Sequence, residues 1–394
     1  VERINIKGNT VTNDSVVRSE LLLDEGDPFS KVKLEKSISN IKARNIFKKV
    51  KYKLEDGSSK DLKVMEITVE EKPTGEISAG AGTGTEGTTF QFALSENNYL
   101  GKGLIVDTSL DLTESSIRGG LDIVIPNYNY SGNSVDFGLS SKKTDRPDSG
   151  YENTLTKFNI GTRFEQYDNI YLSPNLGITF DSLTVDSTAS SVLKKQAGDF
   201  EEIEFTYGIQ RDTRDRSFMP TSGSIIGFTQ GLPIYAEEQA SLLNQFTSSK
   251  YYGFSDNFIG AFKVYAAAIV AVEDDVRISK RLHIPSKRLR GFENRKIGPV
   301  DGSDYVGGNY AAAVNLEAAL PNLLPESTQT DVAVFLDAGN LWHADYDGTV
   351  GQSSKIRSSV GFATNMYTPI GPLNFVFAQK LSSAPSDITQ TFKF

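Results

Sequence analysis

Beyond Pro73 the chain loses helical periodicity and alternates apolar with polar residues, segment after segment, to its end. From Leu104 to Leu112 the even positions read Leu, Val, Thr, Leu, Leu, and the odd ones Ile, Asp, Ser, Asp. Ile170 to Phe180 places Ile, Leu, Pro, Leu, Ile and Phe on one face, with Tyr, Ser, Asn, Gly and Thr between them. Ile203, Phe205, Tyr207 and Ile209 likewise oppose Glu204, Thr206 and Gly208. Such alternation is the period of a strand with one buried face. It suits a soluble antiparallel sheet as well as a membrane barrel. The number of segments separates the two. About sixteen can be counted, whereas open soluble sheets rarely exceed about ten strands before curling or splitting. A transmembrane barrel takes that number readily.

The connections support the same reading. Tight turns are predicted at Glu165–Asn169, Phe254–Asn257 and Pro369–Pro372. Longer polar loops are predicted at Lys142–Glu152, Asp181–Glu202, Asp274–Gly307 and His343–Lys355. Short turns on one side and long loops on the other are the barrel pattern, with the long loops outside the cell. A helical membrane protein is excluded, because no apolar run approaches the roughly 20 residues a spanning helix needs. The best, Val264 to Val272, has nine.

The first 72 residues follow another rule. Glu2–Lys7 alternates like a short strand, and Asn13 and Asp14 are N-cap candidates ahead of Val17, Leu21 and Leu22. Asp27-Pro28-Phe29-Ser30 breaks the chain and caps a second helix, in which Leu34, Ile38, Ile41 and Asn45 share a face. Strands are predicted at Val50–Leu54 and Leu62–Glu70. The order β-α-α-β-β makes a small α+β domain over residues 1–72, and residues 73–394 form the barrel.

Conventional chemistry finds little to work with. There is no Cys for a disulfide or thiolate site, and the two His residues, His283 and His343, lack metal-ligand spacing. A net charge of −9 argues against a nucleic-acid surface. No nucleophile elbow or P-loop occurs. Gly80-Ala81-Gly82-Thr83-Gly84 is Gly-rich, yet no helix follows to hold a phosphate, so these read as strand glycines. Arg211 to Arg216 mixes both charges and reads as a solvated turn.

The most informative segment is the longest loop, which carries Leu289-Arg290-Gly291-Phe292 near its middle. Loops of that length are functional or disordered. Two acids can answer its arginine. Val332, Val334, Leu336 and Ala338 on the lipid face turn Asp337 inward, and Ala312, Val314, Leu316, Ala318 and Leu320 do the same for Glu317. Spacing alone leaves two readings even: an Arg–carboxylate pair inside the barrel, or three ordinary lumen-lining groups.

Leu289–Phe292 followed by Ile297-Gly298-Pro299 resembles the VRGF-and-IGP loop of the BamA superfamily, with Leu in place of the first Val. Phe335-Leu336-Asp337-Ala338-Gly339 resembles its F-x-D-x-G strand motif. Residues 75–87, 97–103, 216–224, 315–321 and 368–379 are similar to BamA in particular, and residues 1–72 to the POTRA domain nearest its barrel. The family carries several POTRA domains where one stands here, which implies a chain beginning mid-protein. Its last strand usually runs past the segment matching Ile388–Phe394, which leaves the completeness of the closing strand open.

The resemblance implies an insertase that is not an enzyme, in the bacterial outer membrane with its POTRA domain in the periplasm. Its partners would be unfolded outer-membrane clients, accessory lipoproteins and outer-membrane lipid, with no nucleic acid, metal or cofactor. A lateral gate would form where the first strand, about Gly75–Thr83, meets the last, about Asp387–Phe394. Gly75, Gly80, Gly82, Phe392 and Phe394 would be its residues. Related two-partner secretion or TamA-like translocation barrels share the loop and strand motifs. A passive diffusion porin is the alternative from another class.

Overall fold

The computed structural model describes every residue except 60, 86, 218, 322, 326–329, 346–349 and 369–370. The N-terminal domain is built from β1 (Arg3–Lys7), α1 (Asp14–Arg18), α2 (Lys31–Ala43), β2 (Phe47–Asp56) and β3 (Lys63–Glu71). Ser30 caps α2 by accepting a hydrogen bond from the Lys33 amide, and the helix buries Leu34, Ile38 and Ile41. These pack with Ile4, Met65, Ile67 and Val69 of a three-stranded sheet in which β3 lies between β1 and β2.

The barrel opens with β4 (Gly75–Gly84), β5 (Gly87–Tyr99), β6 (Leu104–Thr113), β7 (Ser116–Ile125) and β8 (Ser134–Arg146). It continues with β9 (Tyr151–Tyr167), β10 (Ile170–Val185), β11 (Gly198–Asp212), β12 (Gly223–Ala236), β13 (Ser241–Ser255) and β14 (Phe258–Ala271). Two short strands, β15 (Val300–Asp301) and β16 (Asp304–Tyr305), lie in the long loop. Then come β17 (Tyr310–Leu320), β18 (Thr330–Trp342), the short β19 (Val350–Gly351), β20 (Arg357–Thr368), β21 (Gly371–Ser382) and β22 (Phe392–Lys393). Sixteen of these make one antiparallel sheet running from β4 to β22. Its outer face carries rows of exposed apolar side chains, such as Leu139, Phe158 and Ile178 opposite one another on β8, β9 and β10. Apolar surface on that scale belongs in hydrocarbon rather than water.

Strands run further outward than the alternation predicts. The segment read as a loop at Lys142–Glu152 is mostly strand, leaving only residues 147–150 as a turn. Above the bilayer a strand needs no apolar face, so its sequence looks like a loop. The outer segments also pack together: Tyr151, Leu183, Leu193, Phe200, Ile278 and Val306 form a buried cluster. Ser149, at a loop tip, is buried and donates its hydroxyl to the Tyr305 carbonyl. The turn predicted at Pro369–Pro372 falls largely outside the described residues.

The N-terminal domain docks on two short barrel turns. The Asn98 side chain donates to Thr12 Oγ1 at 2.9 Å and accepts from the Gly103 amide at 2.8 Å, and the Asn13 amide donates to the Gly101 carbonyl. Arg44, paired with Glu20 at 3.1 Å, also donates to the Gly103 carbonyl, and Asn127 donates to the Ser19 carbonyl. Gly101 must be glycine: its φ is +70° and a Cβ would stand 2.1 Å from the Val11 carbonyl oxygen. The segment 97–103 is therefore a socket for the domain. Gly101→Ala should undock the domain while leaving the barrel folded, since left-handed backbone costs a non-glycine about 1–2 kcal/mol before the clash is counted. Limited proteolysis at residues 72–74 will detect this as faster cleavage.

Glu71, at the end of β3, ties down the segment feeding this dock. It accepts from the Thr10 amide at 3.0 Å and hydroxyl at 2.7 Å, and from the Thr12 amide at 2.6 Å. Burial pushes its carboxyl pKa up, but these hydrogen bonds outweigh it and hold the value down to about 2. A depressed folded-state pKa gives stability that is present above the ordinary value of 4.5 and lost as pH falls toward 2. Protection of the Thr10–Thr12 amides, taken as the ratio of intrinsic to observed exchange rate at each pH, should therefore fall through that window. Glu71→Gln should already show the lower protection at neutral pH and lose little more on acidification.

Candidate functional site: the inward loop and the barrel seam

Register builds the first half of the site. Lys263 on β14, Asn315 on β17, Asp337 on β18 and Ser359 on β20 stand opposite one another in a single row across four strands. One row away, Ala261, Glu317, Phe335 and Gly361 do the same. Outward neighbours such as Val314, Leu316, Val334 and Leu336 are exposed on the lipid face, which sends both rows into the lumen.

The long loop delivers Arg290 onto these rows. Its Nε donates to Asp337 Oδ2 and its terminal nitrogen to Oδ1, each at 2.8 Å, a bidentate pair. The Arg290 amide adds a third bond to Oδ2 at 3.0 Å, and Asn315 Nδ2 donates to Oδ1 at 2.7 Å. Asp337 is wholly buried, so these four donors replace its hydration. The guanidinium carbon lies 3.5 Å from the centre of the Phe335 ring, a cation–π contact. Glu317 is a secondary partner, 3.5 Å from Arg290 and 3.0 Å from Lys263. The structure thus resolves the two readings left even by the spacing, in favour of the pair.

The motif's remaining residues have steric duties. Gly291 has φ +88°, and a Cβ there would meet Ala378 and Ser359 at 3.0 and 3.1 Å. Ser359 accordingly approaches close enough to donate to the Arg290 carbonyl. Leu289 and Phe292 are buried with Tyr265, Ala311 and Leu341. A Cβ at Gly339 would stand 2.8 Å from the Ala312 carbonyl oxygen and 3.3 Å from Ile284 of the loop. Gly361 leaves room for the Phe335 ring, which a Cβ would approach to 2.7 Å. Sequence reasoning missed Asn315, Ser359 and Lys263, although each occupies an inward position of a strand whose alternation was legible.

The seam is the second half. The outer edge of β4 has no strand partner among the described residues, and meets the end of the chain through one backbone bond, Thr85 amide to Phe394 carbonyl, at 3.1 Å. Gly75, Gly80 and Gly82 lie on β4, exposed; Gly80 and Gly82 have open space where a Cβ would go. Phe392 and Phe394 stack at 5.8 Å, and Phe392 also meets Phe377 at 4.8 Å.

The closing strand is shorter than the sequence predicts. Only Phe392 and Lys393 pair with β21, at Phe377 and Val376, and the Thr391 carbonyl accepts from Ala378 at 2.8 Å. Residues 388–390 turn instead to the inward loop. The Gln390 amide donates to the Gly291 carbonyl, Glu293 to Ile388, and Ile388 to Lys296, each at 3.0 Å. Alternation cannot reveal this, because the same extended segment satisfies either partner.

Among the described residues no group of His, Cys, Asp and Glu is placed to hold a metal ion. His283 sits in the loop with both ring nitrogens buried and without a hydrogen-bond partner. Burial, and then Arg295 and Arg146, drive its pKa well below the ordinary imidazole range.

Comparison with known proteins places this architecture. The Omp85 superfamily domain matches residues 74–394, and the POTRA family, described as a surface antigen variable number repeat, matches residues 1–72. The outer membrane protein assembly factor BamA of Neorickettsia risticii is 26% identical over 408 aligned residues, covering 100% of this chain and 54% of that protein. The chain spans about half the length of the curated relatives it matches. Its fold superposes on BamA from Haemophilus ducreyi lacking POTRA domains 1–3 with a TM-score of 0.88 at 21% identity, covering 100% and 83% of the two chains. CdiB from Acinetobacter baumannii gives 0.61 at 12% identity, covering 100% and 72%. An antiparallel sixteen-stranded wall, a lumen-bound Arg-Gly-Phe loop seated on an F-x-D-x-G strand, and these matches lead to one conclusion: the chain belongs to the Omp85 superfamily, as an outer-membrane β-barrel of the BamA type preceded by a periplasmic POTRA domain.

Proposed function

We propose that this chain is the membrane-embedded part of a non-enzymatic insertase, which folds β-barrel clients into the outer membrane through a lateral gate between β4 and β22. The observation that carries the reading is the seam: among the described residues the outer edge of the ten-residue β4 has no strand partner, and a single backbone bond, from Thr85 just past its end to Phe394, links it to the closing segment. Unpaired backbone in hydrocarbon costs several kcal/mol per group. An edge that poor in partners gains by pairing with an incoming strand, which is β-augmentation in a membrane. The names of the BamA relatives support the same activity. Among the described residues the outer edge of β2 has no strand partner in the POTRA sheet, and Lys48, Lys49, Lys51 and Lys53 lie along β2. That edge suits extended client segments and accessory lipoproteins, while outer-membrane lipid surrounds the wall.

The translocation alternative draws less support, since the likeness to CdiB is well below that to BamA. A diffusion porin is disfavoured by the loop seated in the lumen. The test is reconstitution in lipid vesicles with an unfolded barrel client, scored by heat-modifiable gel mobility. Faster client folding than in empty vesicles supports the proposal. No acceleration, with large steady conductance in planar bilayers, would favour the porin.

A further inference from the structure

The closing strand is divided between two partners, and a buried ion pair stands at the upper end of the part that leaves β21. Extending the register of Phe392 with Phe377 upward would set Thr389 opposite Lys380 and Asp387 opposite Ser382, so that the whole segment lay on β21. The structure does otherwise. Arg357 on β20 grips Asp387 with Nε to Oδ2 at 2.9 Å and a terminal nitrogen to Oδ1 at 2.8 Å, and both side chains are fully buried. Arg357 is itself held by Asn340, and Asp387 also accepts from the Ala384 amide. Tyr305, from the long loop, donates to the Ser386 carbonyl at 2.6 Å, and Lys393 donates to Ser286 of that loop at 3.1 Å. Residues 386–393 are thus fastened to the lumen side at several points. The seam-side backbone of Gln379 to Ser382 has no strand partner among the described residues.

Backbone hydrogen bonding does not decide between the two placements. Leaving the loop would break the three bonds of residues 388–390, and pairing on β21 would form about as many. The ion pair tips the exchange, because moving Asp387 outward strands a buried guanidinium. We propose that Arg357 and Asp387 are positioning residues that hold the upper half of the closing strand on the inward loop, keeping the edge of β21 at Gln379–Ser382 free for an incoming strand. This rests on the reading of the seam as a gate and adds the device that keeps it unpaired.

The test is a disulfide reporter of the β21-paired placement, Lys380→Cys with Thr389→Cys, oxidised in membranes and scored on the folded, heat-modifiable band only. Cross-linking should be low in the otherwise unaltered protein and rise about tenfold with Asp387→Asn or with Arg357→Met, as expected when the bias between two states is removed. Asp387→Glu, which keeps the charge, should stay near the low level. Equal cross-linking in all backgrounds overturns the proposal, as does a rise with only one of the two neutralising changes. Client assembly is measured in the same substitutions without the cysteines. A cross-linking shift with unchanged assembly would leave the latch standing and remove the gate; no shift removes the latch whatever assembly does.

Discussion

Asp337→Ala should release the inward loop and cost about 3–5 kcal/mol of the stability of its seat, because it strands the Arg290 guanidinium against a buried wall. The expected value lies toward the lower end, since Arg290 keeps Glu317 at 3.5 Å and a fraction of its own surface remains accessible. Four donors converge on Asp337 and only two cations on Glu317, so Glu317→Ala should cost far less. Protease cleavage within residues 286–298 reads the loop directly, and heat-modifiable mobility shows that the barrel itself persists. Arg290→Ala should match Asp337→Ala in loop release. Exchange of the pair, Arg290→Glu with Asp337→Arg, should recover only part of the loss. The bidentate fork would be reversed, and the residue 290 amide would lose the acceptor that Asp337 supplies. Equal or greater loop release in Glu317→Ala would show that Asp337 is not the anchor.

Locking the seam should have the other large effect. Thr85 and Phe394 adjoin through the backbone, so Thr85→Cys with Phe394→Cys places two thiols at the contact. Oxidation should leave the barrel folded, since it ties residues already adjacent just past the ends of β4 and β22. Client assembly should fall to the level of empty vesicles, and a reductant should restore it. The closed link blocks the edge of β4, whose unpaired backbone is the proposed template. Full assembly by the oxidised protein would place client entry elsewhere.

Much of this molecule is readable in one dimension, for identifiable reasons. Strand alternation has a period of two and no free parameter, so spacing alone places Asp337 and Glu317 in the lumen. The α2 face at Leu34, Ile38 and Ile41 follows equally directly from spacing, whereas Asn45, expected on the same face, lies past the helix end in a left-handed conformation with φ +56°. The seat of the loop needs more. Which acid Arg290 chooses depends on how four strands align side by side, and it is that register which stacks Lys263, Asn315, Asp337 and Ser359 into one row. The socket at Asn98–Gly103 shows the same division, because its glycines are visible but the approach of Val11 is not.

The sequence by itself determined the barrel, the boundary after residue 72, the lumen faces and the residues that could meet there. Local patterning suffices for these, because backbone geometry assigns each side chain a face. Tertiary structure alone decided that Asp337 outranks Glu317, that Arg357 buries itself on Asp387, and that residues 388–390 lie on the loop rather than on β21. Each of these is a choice between partners of nearly equal local chemistry, and such choices are settled by register, burial and the cost of an unpaired charge, none of which a single strand of letters contains.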